Sequence, residues 1–157
     1  MIKKLSFDYE SYASRAAMTA GDRALADRAA GACSSAHAPY SRFRVGAAAR
    51  LRSGLVITGS NQESEVFPAG ICAERTLLFH WGAHHSGSDG SPADPIEALA
   101  IASVPGEREC YPCGQCRQVL LDTERRQGSP IRIIMCGTES ASVVASAADL
   151  LPFQFSL

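Results

Sequence analysis

Two short stretches hold the side chains best suited to chemistry: Cys72, Glu74 and Arg75 in GICAER (70–75), and Cys113 and Cys116 in PCGQC (112–116). Cysteines three apart at the start of a helix place both sulfurs on one face of its first turn, where they can grip one metal ion. In an intracellular chain such a pair points to zinc ahead of a redox couple or part of an iron–sulfur site. Zinc needs more than two ligands, and the candidates for the third are Cys72, Cys110 and the histidines. Cys72 is favoured, because Cys72 and Glu74 diverge around a helix yet both reach a point off its N-terminal end. Such a site lies where two helix N-termini meet, and their N–H groups and dipoles stabilise thiolates. Arg75 offsets the excess negative charge. Three ligands leave a fourth position open, the catalytic form of a zinc site, and a free carboxylate beside it suits general acid–base work on water.

The elements that must position these residues follow from periodicity. Ala-rich stretches at 8–20 and 22–37 predict a long, broken N-terminal helix, with Gly21-Asp22 as break and N-cap. The runs 43–52 and 55–61 around Ser53-Gly54 predict a hairpin. Next come a helix over 71–83, a Gly/Ser/Pro/Asp-rich loop over 84–95, a buried strand over 96–103 and a helix over 113–125. Strands at 131–136 and 142–145 and a short helix lead into LLPFQFSL. Strands separated by helices predict an α/β sandwich with one sheet of five strands, in a single domain over 1–157 that carries 1–20 as a helical extension.

Composition narrows the function further. The net charge of -1, with 15 Lys+Arg against 16 Asp+Glu, gives no basic footprint for nucleic acid. No apolar run approaches the roughly 20 residues that cross a bilayer, and the first residues lack an apolar signal core, so neither membrane nor export is expected. A cytoplasmic protein with a small neutral ligand is the reading, and its six cysteines serve as ligands or core thiols. Cys33 and Cys136 read as core, Cys110 as no ligand, and His80, His84 and His85 as a solvated helix end favoured by the dipole.

The motifs APYSRFRVGAA (38–48), GSNQES (59–64), GICAER (70–75), PCGQCRQVL (112–120) and LLPFQF (150–155), in this order, resemble the small, three-cysteine type of cytidine deaminase. The resemblance runs from about residue 22 to the end. It implies a three-layer α/β/α sandwich with a five-stranded mixed sheet, Zn²⁺ on Cys72, Cys113 and Cys116, and Glu74 as proton shuttle. It further implies that Arg75 hydrogen-bonds the ligand sulfurs, that Asn61 and Glu63 bind the ribose hydroxyls, that Phe43 packs on the pyrimidine and that the Ala73 backbone N–H holds the base. Phe155 would close the pocket of a neighbouring subunit in a homotetramer with shared active sites. The implied reaction is hydrolysis of cytidine or 2′-deoxycytidine to the uridine and ammonia, in pyrimidine salvage.

The family continues Asn-x-Glu differently, whereas this chain has Ser64, Glu65 and Phe67. A deaminase of another aminopyrimidine nucleoside, of the blasticidin-S type, shares Cys-Ala-Glu and the cysteine pair, but Asn61, Glu63 and LLPFQF favour cytidine. A structural-zinc or nucleic-acid-binding module would call for a basic, aromatic-interleaved surface, which the charge balance opposes. In a strand, Arg42 and Arg44 would share the face opposite Phe43 and point away from the base.

Overall fold

Small and β-branched residues through the middle of the chain build one sheet whose two faces take different helices. The computed structural model describes residues 1–87 and 93–157. Its elements in chain order are β1 (Glu10–Tyr12), α1 (Ala20–Ala32), β2 (Arg44–Leu51), β3 (Val56–Ser60), α2 (Ala73–His84), β4 (Ile96–Val104), α3 (Gly114–Gln127), β5 (Arg132–Cys136) and β6 (Ala141–Val144). Short 3-10 turns lie at Arg15–Ala17, Cys33–Ser35, Phe67–Ala69 and Ala147–Leu150. The strand order is β1-β6-β5-β4-β2-β3. Among the strands of the described residues only β4 and β5 pair in parallel, and α3 supplies the crossover that a parallel pair requires.

Alternation along the strands sorts the core into two layers. Ala48, Ala98, Ala100, Ala102, Ile134 and Val143 pack with Leu25, Ala26 and Ala29 of α1. Ala47, Ala49, Leu99, Ile101, Ile133 and Met135 pack on the other side with Leu77, Leu78 and Trp81 of α2 and Leu120 of α3. The expected α/β/α sandwich is therefore present. Alanine on the α1 side lets that helix lie close, and at Gly46 the approach is such that a Cβ would stand 2.1 Å from the Ala29 carbonyl oxygen.

The sheet has six strands where five were expected. The extra one is β1, in the 8–20 stretch read above as helix, which instead holds this strand and the turn Arg15–Ala17. Two forces override the local alanine content. The edge of β6 offers unpaired backbone groups, and β1 takes them in antiparallel register, Glu10 opposite Val143. Arg132 then clamps the strand, donating to both Glu10 oxygens at 2.8 and 3.1 Å while also holding the buried Asp22 at 2.9 Å. Helix α1 starts earlier than the Gly21-Asp22 expectation, because the Thr19 hydroxyl accepts from the Asp22 N–H at 3.1 Å and caps it.

The loop expected over 84–95 falls partly on 88–92, outside the described residues. At its near end α2 runs through His84, and at its far end Asp94 accepts from the Ser53 N–H at 3.0 Å. The last expected helix is the 3-10 turn Ala147–Leu150. Among the described residues no helix is long and apolar enough to cross a membrane.

Candidate active site

Helices α2 and α3 begin side by side, and each begins on a cysteine. Cys72 is the N-cap of α2 and Cys113 the N-cap of α3, and neither uses its side chain to cap the helix. The first-turn N–H groups, which helix geometry leaves without intrahelical partners, thus lie at the helix ends that carry the sulfurs. Cys116, buried in the first turn of α3, completes the group. Gly59 lets α2 come this low: a Cβ there would stand 2.8 Å from both the Ala73 carbonyl oxygen and the Leu77 nitrogen.

The three sulfurs all lie within 4.8 Å of one another, with Cys72 to Cys113 at 3.9 Å and Cys113 to Cys116 at 3.5 Å. Tetrahedral zinc with bonds of about 2.3 Å holds its sulfurs about 3.8 Å apart, so the donor set fits that ion. Among the described residues it is the only such group of three or more, and Cys110 lies outside it. Cys110 packs against the core, its thiol pushed up to about 11 by burial.

The site's electrostatics also suit a cation. The Cys72 thiol is drawn well below its ordinary value, first by its contact with the Cys116 thiol and then by Arg75, whose Nη2 lies 3.8 Å from the sulfur. The same contact, with burial, holds the Cys116 thiol far above its usual range. Three sulfurs this close cannot all ionise without a positive charge between them. The Arg75 Nε is buried without a partner among the described residues, leaving one donor of that guanidinium unspent. Glu74 is also buried, and burial raises its carboxyl to about 7, against the pull of its own backbone N–H and the Cys116 thiol. It is thus close enough to the sulfurs to feel them.

A cavity of about 380 Å³ opens beside Cys72, lined also by Asn61, Glu63, Tyr40, Ser41 and Phe67. Asn61 and Glu63 leave β3 toward this space, yet both are already engaged. The Asn61 amide accepts from the Val45 N–H at 2.7 Å and donates to the Phe43 carbonyl at 2.9 Å. Glu63 accepts from the Tyr40 N–H at 2.8 Å, from the Ser41 N–H at 3.3 Å and from the Ser41 hydroxyl, and these bonds lower its carboxyl pKa. Ala73 is fully buried at the start of α2. Phe43 is half-exposed and lines a different cavity, with Ser103 and Cys110. Cys72, Asn61 and Glu63 are therefore brought together, and Phe43, tied to Asn61 through its carbonyl, lies outside that lining.

Phe155 is not among them. It is exposed and lines a separate surface cavity with Gln118, Asp122 and Arg125 of α3, and its carbonyl accepts from Arg125 at 3.2 Å. Arg42 departs from the strand reading, because β2 starts at Arg44 and Arg42 sits in a turn with φ of 57°. Ser64 and Phe67 line the cavity and Glu65 is exposed outside its lining. Tyr40 and Ser41 were missed as site residues, although they stand inside the quoted APYSRF. Tyr40 meets Phe67 edge to face at 5.8 Å, and no sequence spacing announces that contact.

Comparison with known proteins places this geometry. The family model described as the cytidine and deoxycytidylate deaminase zinc-binding region matches residues 19–127. A cytidine deaminase of Mycobacterium tuberculosis strain H37Rv is 37% identical over 137 residues, covering 85% of this chain and 88% of its own length. The crystal structure of cytidine deaminase from Burkholderia pseudomallei superposes with a TM-score of 0.69 at 35% identity, covering 88% of this chain and 100% of that one. That of the Mycobacterium tuberculosis enzyme gives 0.64 at 32% identity, covering 85% and 96%.

Proposed function

Because the chain belongs to the cytidine and deoxycytidylate deaminase family, we propose that it hydrolyses cytidine and 2′-deoxycytidine to uridine and 2′-deoxyuridine with release of ammonia. The observation that carries this reading is the convergence of three cysteine sulfurs on two helix N-termini, beside a buried carboxylate that is not one of them. Cys72, Cys113 and Cys116 would hold Zn²⁺, with Arg75 donating to the sulfurs. Zinc there supplies Lewis-acid activation, lowering the pKa of water from about 15.7 toward neutrality.

The chain's own residues supply the rest. Glu74 takes a proton from the attacking water and delivers it to ring N3 as the C4–O bond forms. It then carries the second proton to the amino nitrogen as the C4–N bond breaks, so that water and substrate leave as ammonia and the uridine. Burial raises its carboxyl above the ordinary range, which favours a group that both accepts and returns a proton. The Ala73 N–H, in the first turn of α2, would hold the base. Phe43 would pack on the pyrimidine, and the remaining acceptor and donor capacity of Glu63 and Asn61 would take the ribose hydroxyls.

The same reading includes a homotetramer in which Phe155 closes a neighbour's pocket, a single domain over 1–157, a cytoplasmic location and a part in pyrimidine salvage. Support comes from the Phe155 ring, which is 64% exposed and away from its own chain's cavity, and from six free thiols that suit a reducing compartment. The test is ammonia release by the zinc-loaded protein over cytidine, 2′-deoxycytidine, cytidine 5′-monophosphate and free cytosine. Turnover of the two nucleosides is expected. Release from none of them would overturn the assignment.

A further inference from the structure

The turn from Ala38 to Phe43 is held in a conformation that its own sequence does not favour. Arg42 adopts φ of 57°, a left-handed conformation that side chains bearing a Cβ rarely take, and its N–H reaches back to the Ala38 carbonyl at 3.0 Å. Side chains fasten the turn at several points: Glu63 accepts from the Tyr40 N–H at 2.8 Å and from the Ser41 N–H at 3.3 Å, and three more contacts involve the Ser41 hydroxyl and the Asn61 amide. The Ser41 hydroxyl donates to Glu63 Oε1 and accepts from the Phe43 N–H at 3.0 Å. Asn61 Nδ2 holds the Phe43 carbonyl at 2.9 Å. Both backbone groups of Phe43 are thus tied to side chains, and the tie at its nitrogen runs through one hydroxyl to Glu63.

We propose that Ser41 is a positioning residue, whose hydroxyl links the Glu63 carboxylate to the Phe43 backbone and so sets the ring of Phe43 relative to the sugar-facing residues. What the link serves rests on the deaminase reading. The chemistry of the link asks for a hydroxyl, since one group must donate to a carboxylate and accept from an N–H at once. Alanine breaks both bonds, whereas threonine keeps both. The residue is exposed and packs into neither core layer, so its loss opens no cavity.

The experiment compares zinc-loaded wild type with Ser41→Ala, Ser41→Thr, Glu63→Ala and the Ser41→Ala/Glu63→Ala pair. Steady-state kinetics on cytidine are measured beside the rate of tryptic cleavage after Arg42, identified by fragment mass. Ser41→Ala is expected to raise KM about fivefold or more with kcat within about twofold, and to speed the cut after Arg42 by a similar factor. Ser41→Thr is expected to restore both, and the double variant to have the KM of Glu63→Ala alone. Wild-type KM together with a wild-type cutting rate in Ser41→Ala would overturn the proposal, as would an additive double variant. If wild type releases no ammonia from cytidine, the deaminase reading fails and the cutting rate alone decides on the link.

Discussion

A carboxylate proposed to carry protons beside a metal must sit next to the ligands without becoming one, and the position of Glu74 meets that demand. It follows the N-cap cysteine of α2 by two residues and is buried beside the sulfurs, but it is outside the three-sulfur group. Glu74→Gln should therefore retain one zinc per chain by metal analysis and lose about 10²–10⁴-fold in kcat. Cys72→Ala should lose the metal and Cys110→Ala should keep it; the reverse would mean a local CxxCxxC cluster and an unrelated chemistry. This part of the site was legible in the sequence because its information is short-range: a three-residue spacing and two helix starts. The Ser41–Glu63 bond was not legible, since it joins residues 22 positions apart and depends on how the hairpin exit meets the preceding turn.

At the scale of elements, the site depends on how low α2 sits on the sheet, and Gly59 decides that. Gly59→Ala would press a methyl group against the backbone at Ala73 and Leu77, a contact with no flexible side chain to give way. Destabilisation of about 1–3 kcal/mol in urea melts is expected, with zinc affinity falling alongside because Cys72 and Ala73 must move together. Unchanged zinc affinity would show that α2 can shift without disturbing Cys72. The opposite edge of the sheet makes a different prediction. The hydrogen bonds from Arg132 hold the Glu10 carboxyl at about 2, well below its ordinary value of 4.5. A depressed acid contributes stability that is complete above its unfolded pKa and fades as pH falls toward its folded one. Glu10 is 49% exposed, so after solvent screening the ion pair is worth about 1 kcal/mol at most. Glu10→Gln should cost that much at pH 7, progressively less as pH falls through 4.5, and almost nothing once pH has fallen through about 2. A constant difference across urea melts at these pH values would locate the contribution elsewhere. The helices and inner strands were read to within a few residues because hydrophobic periodicity fixes them. Strand β1 was misread because three residues on an edge carry little periodicity, and the partner that clamps them is Arg132, far along the chain.

For the whole molecule, the question is what the C-terminal tail is for. Arg125 fastens it to α3 through the Phe155 carbonyl at 3.2 Å and Gln154 Oε1 at 2.7 Å, yet Phe153 is 93% exposed and Phe155 64%. A tail anchored by its polar atoms that leaves its aromatic rings in water is organised to meet another surface. That surface is not its own chain's cavity at Cys72, whose lining includes no tail residue. In the proposed homotetramer the rings are covered by neighbours, so wild type should run in light scattering at about four times the 16.6 kDa chain mass. Deleting residues 153–157 removes the rings without touching the sulfur group or Glu74. The shortened protein should keep its zinc, shift toward smaller species and lose specific activity in proportion as the enzyme is diluted, because a shared site requires the neighbour to be present. Full activity in a monomeric truncated protein would show that each chain closes its own site, and that the exposed phenylalanines serve a contact unrelated to catalysis.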